Sequence, residues 1–247
     1  ITLPSSFTLE ASAKFPLPST SGGYRTLYQH AGNHHHILIH SNGLLGLYIS
    51  SFYSSGFNVN TLTAGWHHIA VTSNGSRTKF YVDGDLVGTI PNVQGNPVNY
   101  IGNCPSCNQH TGLTDEYRIW NYERSSEQLK ANMHRSLIGN ETGLLAYWNF
   151  NNETAEDLSA NSFNGTLFNT SKLMFGGPVC FENPLPVTVW EKDVENEYPG
   201  FTNGNPISYK FYTNIYNTNL ELAPVPTYSV GNGTFGNGLF SKLALNH

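Results

Sequence analysis

The stretch from Gly65 to Ile90, GWHHIAVTSNGSRTKFYVDGDLVGTI, constrains the fold of this chain more than any other. Trp66 to Ser73 carries Ile69 and Val71 on one face, Phe80 and Val82 alternate with Lys79 and Tyr81, and Leu86 to Ile90 returns. Between these runs stand Asn74-Gly75 and Asp83-Gly84, dipeptides that tolerate the positive φ a tight hairpin needs. Three strands joined by two such turns form an antiparallel meander.

The same period of two runs through the segments on either side. Phe7, Leu9, Ala11, Ala13 and Phe15 are expected to face in, and Thr8, Glu10, Ser12 and Lys14 out. Tyr24 to His30 and His36 to His40 read as strands joined by a polar loop, Ala31 to His35, and Leu44 to Ser50 follows the hairpin signal Asn42-Gly43. Ser50 to Asn58 is rich in Ser and Gly and reads as a loop. Tyr100 to Gly102, Asp115 to Trp120 and Gly143 to Phe150 are further strands, and Asn151 to Asn169 is a polar loop leading into a short one. One helix is expected from Ser125, an N-cap whose capping box is completed by Gln128, with Leu129 and Met133 on one face. Many short strands punctuated by turns predict an all-β, two-sheet antiparallel sandwich with one short helix. Asn183-Pro184-Leu185-Pro186 has the composition of a linker. It divides a sandwich over residues 1–182 from a small β module over 183–247, with strands at Thr188 to Trp190, Ile207 to Tyr212 and Pro226 to Val230.

Composition narrows the function classes. The net charge is −5 with no basic cluster, which argues against nucleic-acid binding, because neutralising phosphates needs concentrated Lys and Arg. Nothing approaches the ~20 apolar residues of a membrane span. The chain opens directly on a strand, as a processed or excised piece would, and any export signal then lies outside it. Of the three cysteines, Cys104 and Cys107 form a CPSC loop. A second pair for zinc is lacking, and so is the strand-to-helix setting of a redox pair. A local disulfide between Cys104 and Cys107 is the expectation, against metal or redox roles, and it suits an oxidising, extracytoplasmic setting. Cys180 is left over.

Two groups of side chains stand out. Asn33-His34-His35-His36, with His30 and His40, invites a transition-metal reading in which His34 and His36 share a strand face. Against it, neighbouring histidines in a polar hairpin are solvated or stack on a ligand. His67 and His68 read as packing residues. Tyr24, Tyr28, His30, Asn33 and His34 line the first hairpin, and Phe52, Tyr53 and Phe57 stand in the Ser/Gly-rich segment. An exposed aromatic cluster marks a binding site, so His30, Asn33, His34, Phe52, Tyr53 and Phe57 are the expected ligand contacts. Trp120 and Trp148 lie within strands and read as core. Asp115 and Glu116, adjacent on a strand, are expected on opposite faces. There is no Gly-x-Ser-x-Gly and no phosphate loop.

Four strings in this order, FTLEASAKF, GWHHIAVTSNGSRTKFYVDGDLVGT, GLTDEYRIWNYERSSEQLKANM and GLLAYWNFNNETAEDLSANSFNGTL, resemble the laminin-G-like domains of the concanavalin A-like lectin/glucanase superfamily. The resemblance covers roughly residues 1 to 175. The tail is similar to small β modules of secreted or surface proteins of bacteria. The resemblance implies a jelly-roll sandwich that binds glycans or protein ligands, often with calcium at its edge. It carries a calcium set onto Asp115, Asp157, Asn161 and Asn164; read as residues alone, Asp157 and Asn161 make Asx turns and Asp115 caps a strand end. Glucanases of the superfamily carry an E-x-D-x-x-E string on one strand face, and this chain has none. The expected function is therefore a non-catalytic recognition module of a secreted or cell-surface protein, binding a glycan or mediating adhesion. The alternatives are a structural spacer in a large adhesin and an accessory domain of a polysaccharide-degrading enzyme. Fold alone does not decide among them.

Overall fold

The computed structural model describes residues 1–104, 108–151, 154–168, 171–174 and 177–178, and the backbone of four strands beyond residue 210. The chain divides into two compact units, Ile1–Glu182 and Asn183–His247.

Two antiparallel sheets build the first unit. The six-stranded sheet runs β11 (Leu144–Trp148), β10 (Thr114–Trp120), β1 (Phe7–Phe15), β6 (Gly65–Ser73), β7 (Thr78–Val82), β8 (Asp85–Ile90). The five-stranded sheet runs β5 (Phe52–Asn58), β4 (Leu44–Tyr48), β3 (His34–Ile39), β2 (Arg25–His30), β9 (Tyr100–Ile101). In the second unit β12 (Phe211–Ile215) pairs with β13 (Thr218–Leu222), and β14 (Val225–Val230) with β15 (Lys242–Asn246). The expected strand at Thr188 to Trp190, and the part of the next one before Phe211, lie outside the described residues, as do Cys107 and Cys180.

The inward row of β1 meets Leu27, Ile37, Ile39, Leu45 and Leu47 of the facing sheet in one core. Leu9 is fully buried there; truncating such a side chain to alanine costs about 2–5 kcal/mol. The meander forms in the expected register, with Ile69 opposite Val82 and Val82 opposite Asp85. Asp83 (φ 49°) and Gly84 (φ 76°) are the two left-handed residues of its second turn. The first turn is longer than Asn74-Gly75 implies, because Ser73 pairs with Thr78. Only Gly75 is left-handed there, and Asn74 Oδ1 accepts from the amides of Ser76 and Arg77.

Thr8, Glu10 and Ser12 do point away from the inter-sheet core, but they do not meet solvent: each is buried. The short helix α1 (Ser126–Asn132), with the expected Ser125–Gln128 capping box, lies over this face and packs Leu129 on Ala70 and Tyr81. Glu10, wholly buried, meets His68 Nε2 at 3.0 Å and Arg124 Nη1 at 2.5 Å, and Arg118 stands 3.8 Å away. Burial alone would raise the Glu10 carboxyl; the His68 bond and the charges of Arg124, His68 and Arg118 overcome it and bring it down to about 2. Arg118 donates to the carbonyls of Asn132 and Arg135, and Arg124 to the carbonyl of Gln128 and to Asn132 Oδ1. The helix and the turn after it, through the carbonyls of Gln128, Asn132 and Arg135, are thus held by arginines rising from the sheet.

A bulge separates Glu10 from Ser12 where β1 meets β10, and Glu116 there has φ 55°. Tyr28 crosses from the facing sheet and fills the gap, accepting from the Arg118 amide (3.0 Å) and donating to the Glu10 carbonyl (2.5 Å). The bulge corrects the expectation that Asp115 and Glu116 alternate. Asp115 pairs with outward-facing Ser12, and Glu116 also lies outward, bonded to Arg118 Nη2 and to the Tyr147 hydroxyl. Two further expectations need correcting. Ser50 to Asn58 is mostly strand, and residues 154–168 contain none. The strand after the first hairpin begins at His34, two residues early.

Candidate functional site

The outer face of the five-stranded sheet is covered unevenly. Near β9, Gln109 and Thr111 bond along β2. The Thr26 amide donates to the Gln109 carbonyl, its hydroxyl to Gln109 Oε1, and Thr111 Oγ1 donates back to the Thr26 carbonyl. Cys104 itself is disulfide-bonded. Elsewhere on this face Tyr24, just before β2, His40, just after β3, and Phe52 at the start of β5 form a half-buried row. The Tyr24 and His40 rings meet edge-on with centroids 4.9 Å apart, and His40 and Phe52 are tilted at 4.8 Å.

Local sequence explains how this row forms. Phe52 stands on β5 opposite Tyr48, and its ring swings over Gly46 of β4. A Cβ on Gly46 would lie 2.7 Å from the Phe52 ring and 2.2 Å from the Tyr53 carbonyl oxygen, so only glycine leaves room for the ring and the neighbouring backbone there. The imidazole of His40 is set by its neighbours. Asn42 Oδ1 accepts from the Leu44 amide at 3.1 Å and stands 3.0 Å from His40 Nδ1. The Asn42 amide also points to Nδ1 at 3.4 Å, and Nε2 stands 3.4 Å from the Tyr24 hydroxyl. The result is an apolar strip with a hydroxyl and an imidazole along one border.

Of the expected ligand contacts, Phe52 belongs to this row. Tyr53 and Phe57 are half-buried and pack against the inter-sheet core, because alternation along β5 turns them inward. His30 and His34 stand at the opposite end of β2 and β3, with ring centroids 5.7 Å apart. His30 Nδ1 meets the Pro97 carbonyl at 3.0 Å, and Asn96 takes both His34 Nδ1 (2.8 Å) and, through its carbonyl, His36 Nε2 (2.8 Å). His34 and His36 do converge, then, but on an asparagine. Burial lowers the imidazoles of His35 and His36 to about 4. Asn33 sits exposed at the hairpin tip with φ 60°. Tyr24 and His40 were absent from the expected set; the lone glycine in Leu44-Leu45-Gly46-Leu47-Tyr48 was the available signal.

The expected calcium residues divide. The Asp157 carboxylate is buried and accepts four hydrogen bonds, from the amides of Tyr147 (2.8 Å), Ser159 (2.9 Å) and Phe163 (2.7 Å) and from Ser159 Oγ (2.8 Å). Asn164 Oδ1 accepts from the Asp157 amide, and Asn161 Nδ2 donates to the Leu145 carbonyl. Asp115 lies on β10, accepting from the Glu116 amide, and burial lifts its carboxyl to about 7. Among the described residues, no group of three or more His, Cys, Asp or Glu side chains is placed to hold a metal ion.

Comparison with solved structures finds proteins to which this chain is similar. A candidate carbohydrate-binding protein of Bacteroides ovatus matches over 64% of this chain and 50% of its own length, with 22% identity and a TM-score of 0.50. Domain 4 of an extracellular arabinanase of Geobacillus stearothermophilus, solved with arabinotriose, matches over 52% of this chain and 66% of its own, with 19% identity and a TM-score of 0.41. A heptameric pentraxin of Limulus polyphemus gives 20% identity and a TM-score of 0.36, over 52% of this chain and 70% of its own. The chain thus spans about half the length of the Bacteroides protein. No curated protein matches it. No helix among the described residues is long and apolar enough to cross a membrane. The family model of the concanavalin A-like lectin/glucanases superfamily, of laminin-G type, matches residues 2–130. The chain belongs to that superfamily.

Proposed function

We propose that the first unit is a non-catalytic recognition module of a secreted or cell-surface protein, and that it binds a glycan on the outer face of its five-stranded sheet. The observation that carries this reading is the Tyr24–His40–Phe52 row and the glycine beneath it. Sugars present apolar C–H faces ringed by hydroxyls. A strip of rings buries the faces, and the Tyr24 hydroxyl and His40 imidazole at its border meet the hydroxyls. The disulfide at Cys104 supports an oxidising setting. The state of the acids favours binding over hydrolysis. Glu10 and Glu116 are locked in ion pairs with buried arginines, whereas retaining hydrolysis needs two carboxyls about 5 Å apart and free to act. The Bacteroides ovatus protein, by name a candidate carbohydrate-binding protein, shares the fold on which such a face is built.

The test is calorimetric titration of the whole chain with a panel of neutral oligosaccharides, repeated on Phe52→Ala and Tyr24→Ala. Loss of one stacked ring is expected to weaken binding about tenfold, the upper range of an aromatic contact plus its buried area. Full affinity in both variants, or no binding to any member of the panel, would sink the proposal.

A further inference from the structure

Three Asn-Gly pairs fall among the described residues, at Asn42, Asn74 and Asn164. Such a pair is able to modify itself. The glycine nitrogen and the asparagine Cγ close a five-membered ring within one stretch of chain, and the glycine carries no side chain to obstruct the closure. All three asparagines are exposed, so neither the dipeptide nor its exposure tells them apart. Their hydrogen bonds do.

The Asn42-Gly43 peptide is clamped on both sides. The Gly43 amide donates to the His40 carbonyl at 2.8 Å, and the Asn42 carbonyl accepts from Asn58 Nδ2 at 3.3 Å. Gly43 is buried, and a Cβ on it would lie 2.4 Å from both Asn58 Oδ1 and Asn60 Nδ2, so the peptide has no room to turn. The Gly165 amide donates to the Ala155 carbonyl at 2.7 Å, and Asn164 Oδ1 accepts from the amide of Asp157, itself a buried residue. Attack requires the glycine nitrogen to turn its face toward Cγ. Each of these two pairs has first to break a backbone hydrogen bond, and each asparagine Oδ1 receives a single backbone amide, from Leu44 and from Asp157.

At Asn74-Gly75 the whole turn, residues 74 to 77, is exposed. The Gly75 amide donates to a side chain, Ser73 Oγ at 3.1 Å, and not to a backbone carbonyl. Asn74 Oδ1 accepts from two amides, those of Ser76 at 3.1 Å and Arg77 at 3.3 Å. Two amide donors aimed at one carbonyl oxygen stabilise the oxyanion that forms when its carbon is attacked. We propose that Asn74 is a site of self-modification, where the side chain cyclises onto Gly75 and reopens as aspartate or isoaspartate, while Asn42 and Asn164 stay intact. A base from solvent takes the Gly75 amide proton, the nitrogen bonds to Asn74 Cγ, and the charge gathers on Oδ1 between the amides of Ser76 and Arg77. The Cγ–Nδ2 bond then breaks, and ammonia leaves with a proton returned from water. Water opens the succinimide at either carbonyl. One water is consumed, one ammonia is released, and a carboxylate replaces a neutral amide three residues from Arg77. Ser73 pairs with Thr78 across this turn, so the extra backbone carbon of isoaspartate falls inside the hairpin that joins β6 to β7.

The test is peptide mapping by mass spectrometry of the whole chain, incubated folded and, in parallel, unfolded in urea, with isoaspartate counted by enzymatic methylation. Conversion is read as a gain of about 1 Da. In the folded chain Asn74 is expected to outpace Asn42 and Asn164 by about tenfold or more, because the backbone bond they must break and the donor they lack are each worth about 2–10-fold. In urea the three rates should converge to within about threefold, since the fold does the sorting. The rate at Asn74 should climb about tenfold per pH unit near neutrality, as removal of the amide proton requires. Asn74→Ser should abolish the gain in that peptide and leave the other two pairs as slow as before. The proposal is overturned if Asn42 or Asn164 keeps pace with Asn74 in the folded chain, if Asn74 stays intact there while it converts in urea, or if its rate is flat with pH. Because the readout is covalent and ligand-free, its failure leaves the glycan reading of the aromatic row untouched, and the reverse holds too.

Discussion

Replacing Asp157 with alanine tests whether the loop after β11 is held by its own hydrogen bonds. The carboxylate, 4% exposed, joins three places: the Tyr147 amide on β11, the amide and hydroxyl of Ser159 in its own turn, and the Phe163 amide. Alanine strands all of them. Phe163 is 42% exposed, so water can reach its surroundings, and Ser159 Oγ also bonds the Leu145 carbonyl. The amides of Tyr147 and Ser159 remain buried. An orphaned buried donor costs about 1–3 kcal/mol, so two of them predict a loss of about 2–6 kcal/mol, centred near 4. Urea unfolding of the whole chain, followed by tryptophan emission, reads this directly. Trp148 is a good reporter, because its Nε1 donates to the Phe163 carbonyl. Asp157→Asn retains one acceptor and should lose about half as much. The loss should be equal in excess calcium and in excess chelator, since four protein donors already occupy the carboxylate. A loss below about 1 kcal/mol, within the scatter of surface substitutions, would refute the reasoning. A loss seen only with calcium present would instead make Asp157 a cation ligand.

Three further outcomes follow from the geometry. Glu10→Gln leaves Arg118 and Arg124 buried with a lost anion and should cost about 3–5 kcal/mol in equilibrium unfolding; a cost under 1 would contradict the network. His35 and His36 titrate near 4 in the folded chain against an ordinary 6.5. Their stabilisation is therefore whole above pH 6.5 and drains away as pH falls toward 4, by up to roughly 3 kcal/mol for each. His36→Gln should remove about half of that slope, whereas Glu10, depressed from 4.5 to about 2, governs only the steeper loss below pH 4.5. An unchanged slope in His36→Gln would exclude the assignment. Gly46→Ala puts a methyl into the Phe52 ring and the Tyr53 carbonyl, so overpacking should cost about 1–3 kcal/mol and displace the ring; wild-type stability and binding together would argue against the row.

The sandwich was legible because period-two alternation and hairpin dipeptides are local signals. Trp120 and Trp148 are buried, as their strand positions implied. Strand β5 was missed for a physical reason. Phe52-Tyr53-Ser54-Ser55-Gly56-Phe57-Asn58 is partly exposed along nearly its whole length, so it lacks the apolar alternation of a strand with one dry face. The burial of Thr8, Glu10 and Ser12 was also hidden, because alternation names a face and not what covers it. The bulge at Glu116 depends on Tyr28, 88 positions earlier in the numbering and on the other sheet. No window of sequence holds both. The row itself needed three strands in register, and only the glycine under Phe52 hinted at it.

The arginines that grip the helix also fix where this fold can be cut. The superfamily match stops at residue 130, inside α1. Arg118, wholly buried, spends two of its nitrogens on the carbonyls of Asn132 and Arg135. A chain ended at the match would bury that guanidinium without them, and would also lose β11, the neighbour of β10. The recognisable part of this domain is therefore shorter than the part that can fold, and fragments for expression or grafting must run past Trp148 to keep both.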